Sequence, residues 1–159
     1  MQKKLISIVT PVFNEEENIR YYYDQISSEI KKYSDEFNFE IIITDNCSTD
    51  DSFNLIKEIH KEDKRIIGYK LSKNFGYQKN LWTGLCNSNG DAVIPIDCDL
   101  QDPPKMIGNF IKSWKEGYKI VYGTRISREE KLNRINKRII EQNLCEVIER
   151  QKVEKDIKI

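Results

Sequence analysis

Two aspartates one residue apart, Asp97 and Asp99, follow a short apolar run, where a lone charge would be expensive. Carboxylates at that spacing can share one hard cation. Mg2+ or Mn2+ held this way usually completes its shell with phosphate oxygens and water. Taken as an extended segment, the chain turns both aspartates to the same side, and Gln101 continues the alternation as a third oxygen ligand. The competing reading is an Asp-rich turn, with Asp102 capping the helix that follows.

A second polar cluster runs from Asp45 to Asp50 (DNCSTD). Ser48 or Asp50 suits a helix N-cap, which leaves Asp45 to accept hydrogen bonds from a base or ribose. A phospho-acceptor aspartate is the alternative for Asp45. That chemistry needs an acidic pair after the first strand and a lysine after the fifth. Thr10-Pro11-Val12 and Gly123-Thr124-Arg125 stand in those places. Lys73-Asn74-Phe75-Gly76 precedes a helix whose N-terminal amides can face phosphate. A Walker-type phosphate loop and a GxGxxG turn are both missing, so ATP and NAD chemistry is unsupported. His60, the single histidine, lies in a charged helical stretch and reads as a surface residue. Trp82 and Trp114 fall at core spacing.

These residues need elements to position them. Residues 5–12 (LISIVTPV) form a β-branched apolar run suited to a strand buried on both faces. Asn14 and Glu17 then have capping-box spacing, and Ile19, Tyr22, Ile26, Ile30 and Tyr33 follow with helical period. Further strands are expected at 39–44, 65–71, 92–96 and 119–122, with helices opening at 48–51, 76 and 103–104. The two prolines, Pro103 and Pro104, suit a first helical turn. Strand and helix alternate to about residue 123, which predicts a mostly parallel sheet with helices on both faces. Ligands of such sheets bind beyond the carboxyl ends of the strands, where the polar clusters collect. Beyond residue 126 the apolar residues Ile126, Leu132, Ile135, Ile139, Leu144 and Val147 recur every three to five positions among charges. That spacing reads as an amphipathic helical tail with no strand signal.

Composition bounds the rest. Hydrophobic residues at 38% and charged residues at 33% describe a globular chain of one ordinary domain. Formal charge is zero, against the basic footprint of a nucleic-acid binder. It is unevenly spread: residues 1–105 hold 13 Lys and Arg against 18 Asp and Glu, and residues 106–159 hold 13 against 8. The basic third can be a solvated helix or a peripheral contact with an anionic membrane face. Cys47, Cys86, Cys98 and Cys145 show no paired spacing and read as reduced thiols, consistent with a cytoplasmic location. No apolar run approaches the roughly 18 residues of a membrane-spanning helix.

The segments SIVTPVFNEEENI (7–19), IIITDNCSTDDS (41–52), LSKNFGYQKNLWTGL (71–85), NGDAVIPIDCDLQDPP (89–104) and VYGTR (121–125) together resemble glycosyltransferase family 2. The resemblance is strongest to its polyprenyl-phosphate branch. It implies a Rossmann-like GT-A fold and a nucleotide-sugar-binding domain over 1–125, with 126–159 as a separate charged helical tail. It further implies that Pro11, Phe13 and Glu15 line the nucleotide pocket, that Asp45 recognises the base, and that Asp97, Asp99 and Gln101 hold a Mg2+ or Mn2+ on the donor diphosphate. Lys73 and Arg125 would lie near the phosphates, with Asp99 and Arg125 supporting catalysis. The implied reaction is inverting transfer from a UDP- or GDP-sugar to a polyprenyl phosphate at the inner membrane face. Asn46 and Cys47 depart from the family's usual aspartate and glycine. The match fades after Arg125, so a donor-binding module without turnover is the second expectation.

Overall fold

A computed structural model describes residues 2–122 and the backbone of 146–149. The chain order is β1 (Lys4–Val12), α1 (Glu16–Lys31), β2 (Phe37–Asp45), α2 (Ser52–Glu62), β3 (Ile66–Lys70), α3 (Tyr77–Cys86), β4 (Ala92–Pro95), α4 (Met106–Lys115), β5 (Ile120–Tyr122) and β6 (Glu146–Glu149). The six strands form one sheet in the order β3-β2-β1-β4-β6-β5. The first four are mutually parallel, and β6 runs antiparallel to both β4 and β5. The expected α/β architecture, a mostly parallel sheet with helices on both faces, is the one observed.

Period-two alternation divides the strands between two cores. Ile6, Ile8 and Val12 of β1, Ile41 and Ile43 of β2, and Ile94 of β4 face one side. There they meet Ile19, Tyr22, Ile26 and Ile30 of α1, Ile56 and Ile59 of α2, and Ile107, Phe110, Ile111 and Trp114 of α4. Each such buried side chain contributes roughly 1.5–3 kcal/mol. Val9, Ile42 and Val93 face the other side and pack beneath Leu81 and Leu85 of α3. That helix comes unusually close. A Cβ at Gly84 would sit 2.4 Å from Val9 Cγ1 and 3.3 Å from Thr44 Cγ2.

Several local expectations are corrected. Asn14 does not cap α1: it has φ of 55°, Glu15 is the N-cap, and the cap residue makes no side-chain hydrogen bond to the helix. Asp51 precedes α2 in place of Ser48 or Asp50. Lys105 precedes α4, so Asp102 is not its cap and the two prolines form a turn before it. Trp82 is 66% exposed, on the outer side of α3, whereas Trp114 is buried. Glu146–Glu149, read as helical tail, is a strand inserted between β4 and β5. The remainder of the expected tail helix lies outside the described residues. Among the described residues no helix is long and apolar enough to cross a membrane.

Candidate functional site

The carboxyl ends of β1, β2 and β4 converge on one rim, and the loops leaving them are tied together by side chains. After β1, the left-handed turn at Asn14 places its Oδ1 to accept the Thr49 amide at 2.9 Å. In return Ser48 Oγ accepts the Asn14 amide and Ser52 Oγ the Glu15 amide, both at 2.9 Å. Glu16 and Asp50 each accept the other loop's backbone, Asp51 N–H at 2.8 Å and Glu16 N–H at 3.1 Å. Burial works against the Asp50 carboxylate, but hydrogen bonds from Ser52 and Glu16 outweigh it and hold its pKa below the usual range. Asn14 was thus unavailable as a cap because the neighbouring loop uses its side chain.

The loop before α3 is fixed in the same way. Asn46, 3% exposed, donates from Nδ2 to Asn74 Oδ1 and accepts the Phe75 amide, both at 2.9 Å. Part of the hydrogen-bonding capacity expected of Asn46 is therefore used on this loop. Cys47 stands at φ of 64°, a conformation that explains why glycine is usual there. Gly76, with φ of 87°, makes the corner from which α3 starts.

Between these loops and the end of β4 lies a cavity of about 420 Å³. Pro11, Val12, Phe13 and Glu15 form one wall, Asn46, Asn74 and Gly76 the second, Tyr77 and Asn80 of α3 the third, and Asp97, Cys98 and Asp99 the fourth. The DCD segment is a turn, not the extended run expected, and Leu100 has φ of 54°. Even so, the turn brings both aspartates to the cavity. Tyr77 Oη donates to Asp97 Oδ1 at 2.8 Å, and the Gln101 amide donates to Asp99 Oδ1 at 3.0 Å. Cys98, 3% exposed, has its thiol pushed up to about 12 by burial and by the carboxylates of Glu15, Asp99 and Asp97. Its sulfur stays protonated at any physiological pH.

The expected site residues divide into two groups. Pro11, Phe13, Glu15, Asp97 and Asp99 share the cavity. Asp45, Lys73 and Gln101 do not line it. Asp45 is fully buried, accepts the Ser48 amide at 3.1 and 3.3 Å, and faces Lys70 Nζ at 3.8 Å. Its carboxylate, expected to be open to a base, is thus enclosed behind the rim in this structure. Lys73 lies 5.1 Å over the ring of Phe75, and Gln101 is exposed. Arg125 lies outside the described residues. Sequence reasoning missed Tyr77 and Asn80, which it could have flagged as polar residues on the first turns of a helix that begins at the rim.

Comparison with known proteins fits this geometry to a family. The family described as Glycosyl transferase family 2 matches residues 7–158. The chain belongs to it. The match runs past Arg125, where the motif resemblance fades. A family member from Shigella phage SfV, a bactoprenol glucosyl transferase, is 38% identical over 125 residues, covering 77% of this chain and 39% of the relative. The chain thus spans about two fifths of the length of the curated relatives it matches. Among solved structures, glucosyl-3-phosphoglycerate synthase of Mycobacterium tuberculosis, in complex with Mn2+, UDP and glucosyl-3-phosphoglycerate, is 27% identical with a TM-score of 0.56, covering 74% of this chain and 42% of its own. The mannosyltransferase PcManGT of Pyrobaculum calidifontis, in complex with GDP-Man and Mn2+, shares the fold at 21% identity and a TM-score of 0.59, covering 70% and 32%.

Proposed function

We propose that these residues bind the diphosphate of a UDP- or GDP-sugar through a divalent cation, as the donor side of a transfer to a polyprenyl phosphate with inversion at the sugar. The observation that carries this reading is the charge of the cavity. Glu15, Asp97 and Asp99 line it, and among the described residues that line it there is no lysine or arginine. A diphosphate carries negative charge of its own. Bringing it against three carboxylates is unfavourable unless a cation lies between them.

The donor set fits Mg2+ or Mn2+. Asp97 and Asp99 supply the hard carboxylate oxygens that these ions take. Among the described residues no three His, Cys, Asp or Glu side chains form a cage. Mg2+ and Mn2+ usually complete their shells with phosphate oxygens and water. Such an ion, when bound, would neutralise charge developing on the leaving diphosphate. Asp97 and Asp99 are proposed to hold it, with Tyr77 orienting Asp97 and the Gln101 amide orienting Asp99. Pro11 and Phe13 are proposed to flank the nucleoside, and Arg125 to add a cation near the phosphates. The lipid acceptor is proposed from the motif resemblance and from the bactoprenol in the name of the phage relative. It would place the protein at the inner membrane face.

Calorimetric titration with UDP and with GDP, with and without Mn2+, tests the reading. At least one nucleotide should bind only with metal, and Asp99→Ala should abolish that dependence. If neither binds in a metal-dependent way, the reading fails. A second reading is a module that binds donor without turning it over. Donor hydrolysis or transfer by this chain, lost in Asp99→Ala, would exclude it.

A further inference from the structure

The loop between β3 and α3 is held by amides whose orientation their partners dictate. Asn46 Oδ1 accepts the Phe75 N–H, so its NH2 group is the end that meets Asn74, and it donates to Asn74 Oδ1 at 2.9 Å. The Gly76 N–H donates to the same oxygen, also at 2.9 Å. With two donors on its oxygen, the Asn74 amide can be oriented in one way only. Its Nδ2 then carries two hydrogens with no protein partner among the described residues. Asn74 is exposed and lines the cavity. The other amide and hydroxyl donors of the lining are engaged: Asn46 by Asn74, Tyr77 by Asp97, and Asn80 by the Thr44 and Val12 carbonyls. An aspartate, the family's usual residue at position 46, would have no hydrogen to give Asn74 Oδ1. Asn46 is thus what turns the Asn74 amide to offer a donor.

We propose that Asn74 Nδ2 sets the base preference of the donor site by donating to the carbonyl at C4 of a uracil or C6 of a guanine, with Asn46 as the residue that positions it. This rests on the reading of the cavity as a nucleotide-sugar site. Asn74 is tied through Asn46 to the end of β2, and β1 separates β2 from β4, which leads into the carboxylates. Two strand spacings, about 9–10 Å, lie between those strand ends. With the diphosphate at Asp97 and Asp99, that separation brings the nucleoside to Asn74. Phe13, 43% exposed on the wall, offers a ring face on which a base can stack. The C4 and C6 carbonyls lie on the base edge away from the ribose, the part of the nucleotide that reaches furthest from the diphosphate. A ribose hydroxyl both donates and accepts, so it fits either orientation of the amide. A carbonyl only accepts, and it is the group that a fixed NH2 selects. Cytosine or adenine places an amino group there, sets donor against donor and is rejected.

The test compares bases that differ at that position. Affinities with Mn2+ are measured for UDP against CDP and for GDP against ADP, and the pair that holds the tighter binder is followed. Wild type should favour the carbonyl base by about tenfold, the scale of one hydrogen bond. Asn74→Asp keeps an oxygen for Asn46 and Gly76 but turns a second oxygen outward in place of the NH2 group. Its preference should fall by about tenfold or more, while its added charge weakens both nucleotides and cancels in the ratio. Asn74→Ala offers neither group and should lower the ratio as well. Thermal melting checks that each variant folds, and one folded variant suffices. Equal binding of the two bases by wild type overturns the proposal, as does a preference for the amino base or a wild-type ratio kept in a folded variant. If neither UDP nor GDP shows metal-dependent binding, the failure is a different one. The donor-site reading then falls, and this inference with it.

Discussion

Replacing Gly84 by alanine sets two effects of known sign against each other. Alanine favours a helix interior over glycine by about 1 kcal/mol. Against it, the new Cβ would stand 2.4 Å from Val9 Cγ1 and 3.3 Å from Thr44 Cγ2, where carbon contacts relax at roughly 3.5–4.0 Å. Val9 is fully buried and β-branched, so its side chain has little room to turn aside. The helix must rise by about 1 Å, and overpacking on this scale costs about 1–3 kcal/mol. Taking the upper half of that range, the net is a loss of about 1–2 kcal/mol. For a chain of this size the loss lowers Tm by about 2–8 °C. The same rise would stretch the Asn80 bond to Val12, now 3.2 Å, beyond hydrogen-bonding distance. Nucleotide affinity should therefore fall together with Tm. Melting followed by circular dichroism, with nucleotide titration on the same samples, measures both. A variant with Tm at or above wild type and unchanged affinity would refute this account of how α3 is seated.

Three further outcomes are expected. Tyr77→Phe removes the donor to Asp97 Oδ1 and should weaken Mn2+ binding in the presence of nucleotide by about tenfold, while Tm stays within a few degrees; unchanged metal affinity would count against Asp97 as a ligand. The Arg65 guanidinium holds the Asp63 carboxyl below its ordinary value of 3.8. A depressed carboxylate stabilises the fold above that value and loses its contribution as pH falls through the folded pKa. Melting between pH 5 and pH 2.5 should accordingly fall less steeply for Asp63→Asn than for wild type, and parallel curves would show the pair to be inert. Native alkylation with iodoacetamide at pH 8, read by peptide mass spectrometry, should label exposed Cys86 and spare Cys98, whose thiol is buried and protonated. Rapid labelling of Cys98 would contradict that environment.

The architecture was legible because it is written in period and composition. The runs at 5–12 and 39–44 are too apolar and β-branched to be anything but buried strands, and the helices between them carry clear apolar stripes. The cavity's acidic residues were legible for another reason: Glu15, Asp97 and Asp99 sit immediately after strands, where a parallel sheet opens. What sequence could not convey was competition for the same side chain. Asn14 and Asp50 have capping chemistry, but each is used to join two loops thirty-odd residues apart. Asp45 looked open and is buried, with the Ser48 amide on its carboxylate. Trp82 has the spacing of a core residue, but α3 turns Leu81 and Leu85 to the sheet and leaves Trp82 outside. Glu146–Glu149 is four residues long and flanked by charges, too short to register as a strand. Its partner β4 decides its conformation, not its own propensity.

The place of β6 in the sheet has a consequence in time. The four parallel strands are complete once Pro95 has been made, but the strand that covers the outer edge of β4 begins only at Glu146. At a synthesis rate of about 5–20 residues per second, the intervening stretch of about fifty residues takes roughly 3–10 s. Through that interval the outer edge of β4 has no partner, and an open edge is a template for other chains. Newly made protein should therefore be most vulnerable between Pro95 and Glu146. A version shortened to end at Tyr122 would carry that vulnerability permanently, with every lining residue of the cavity present and the sheet unfinished beside it.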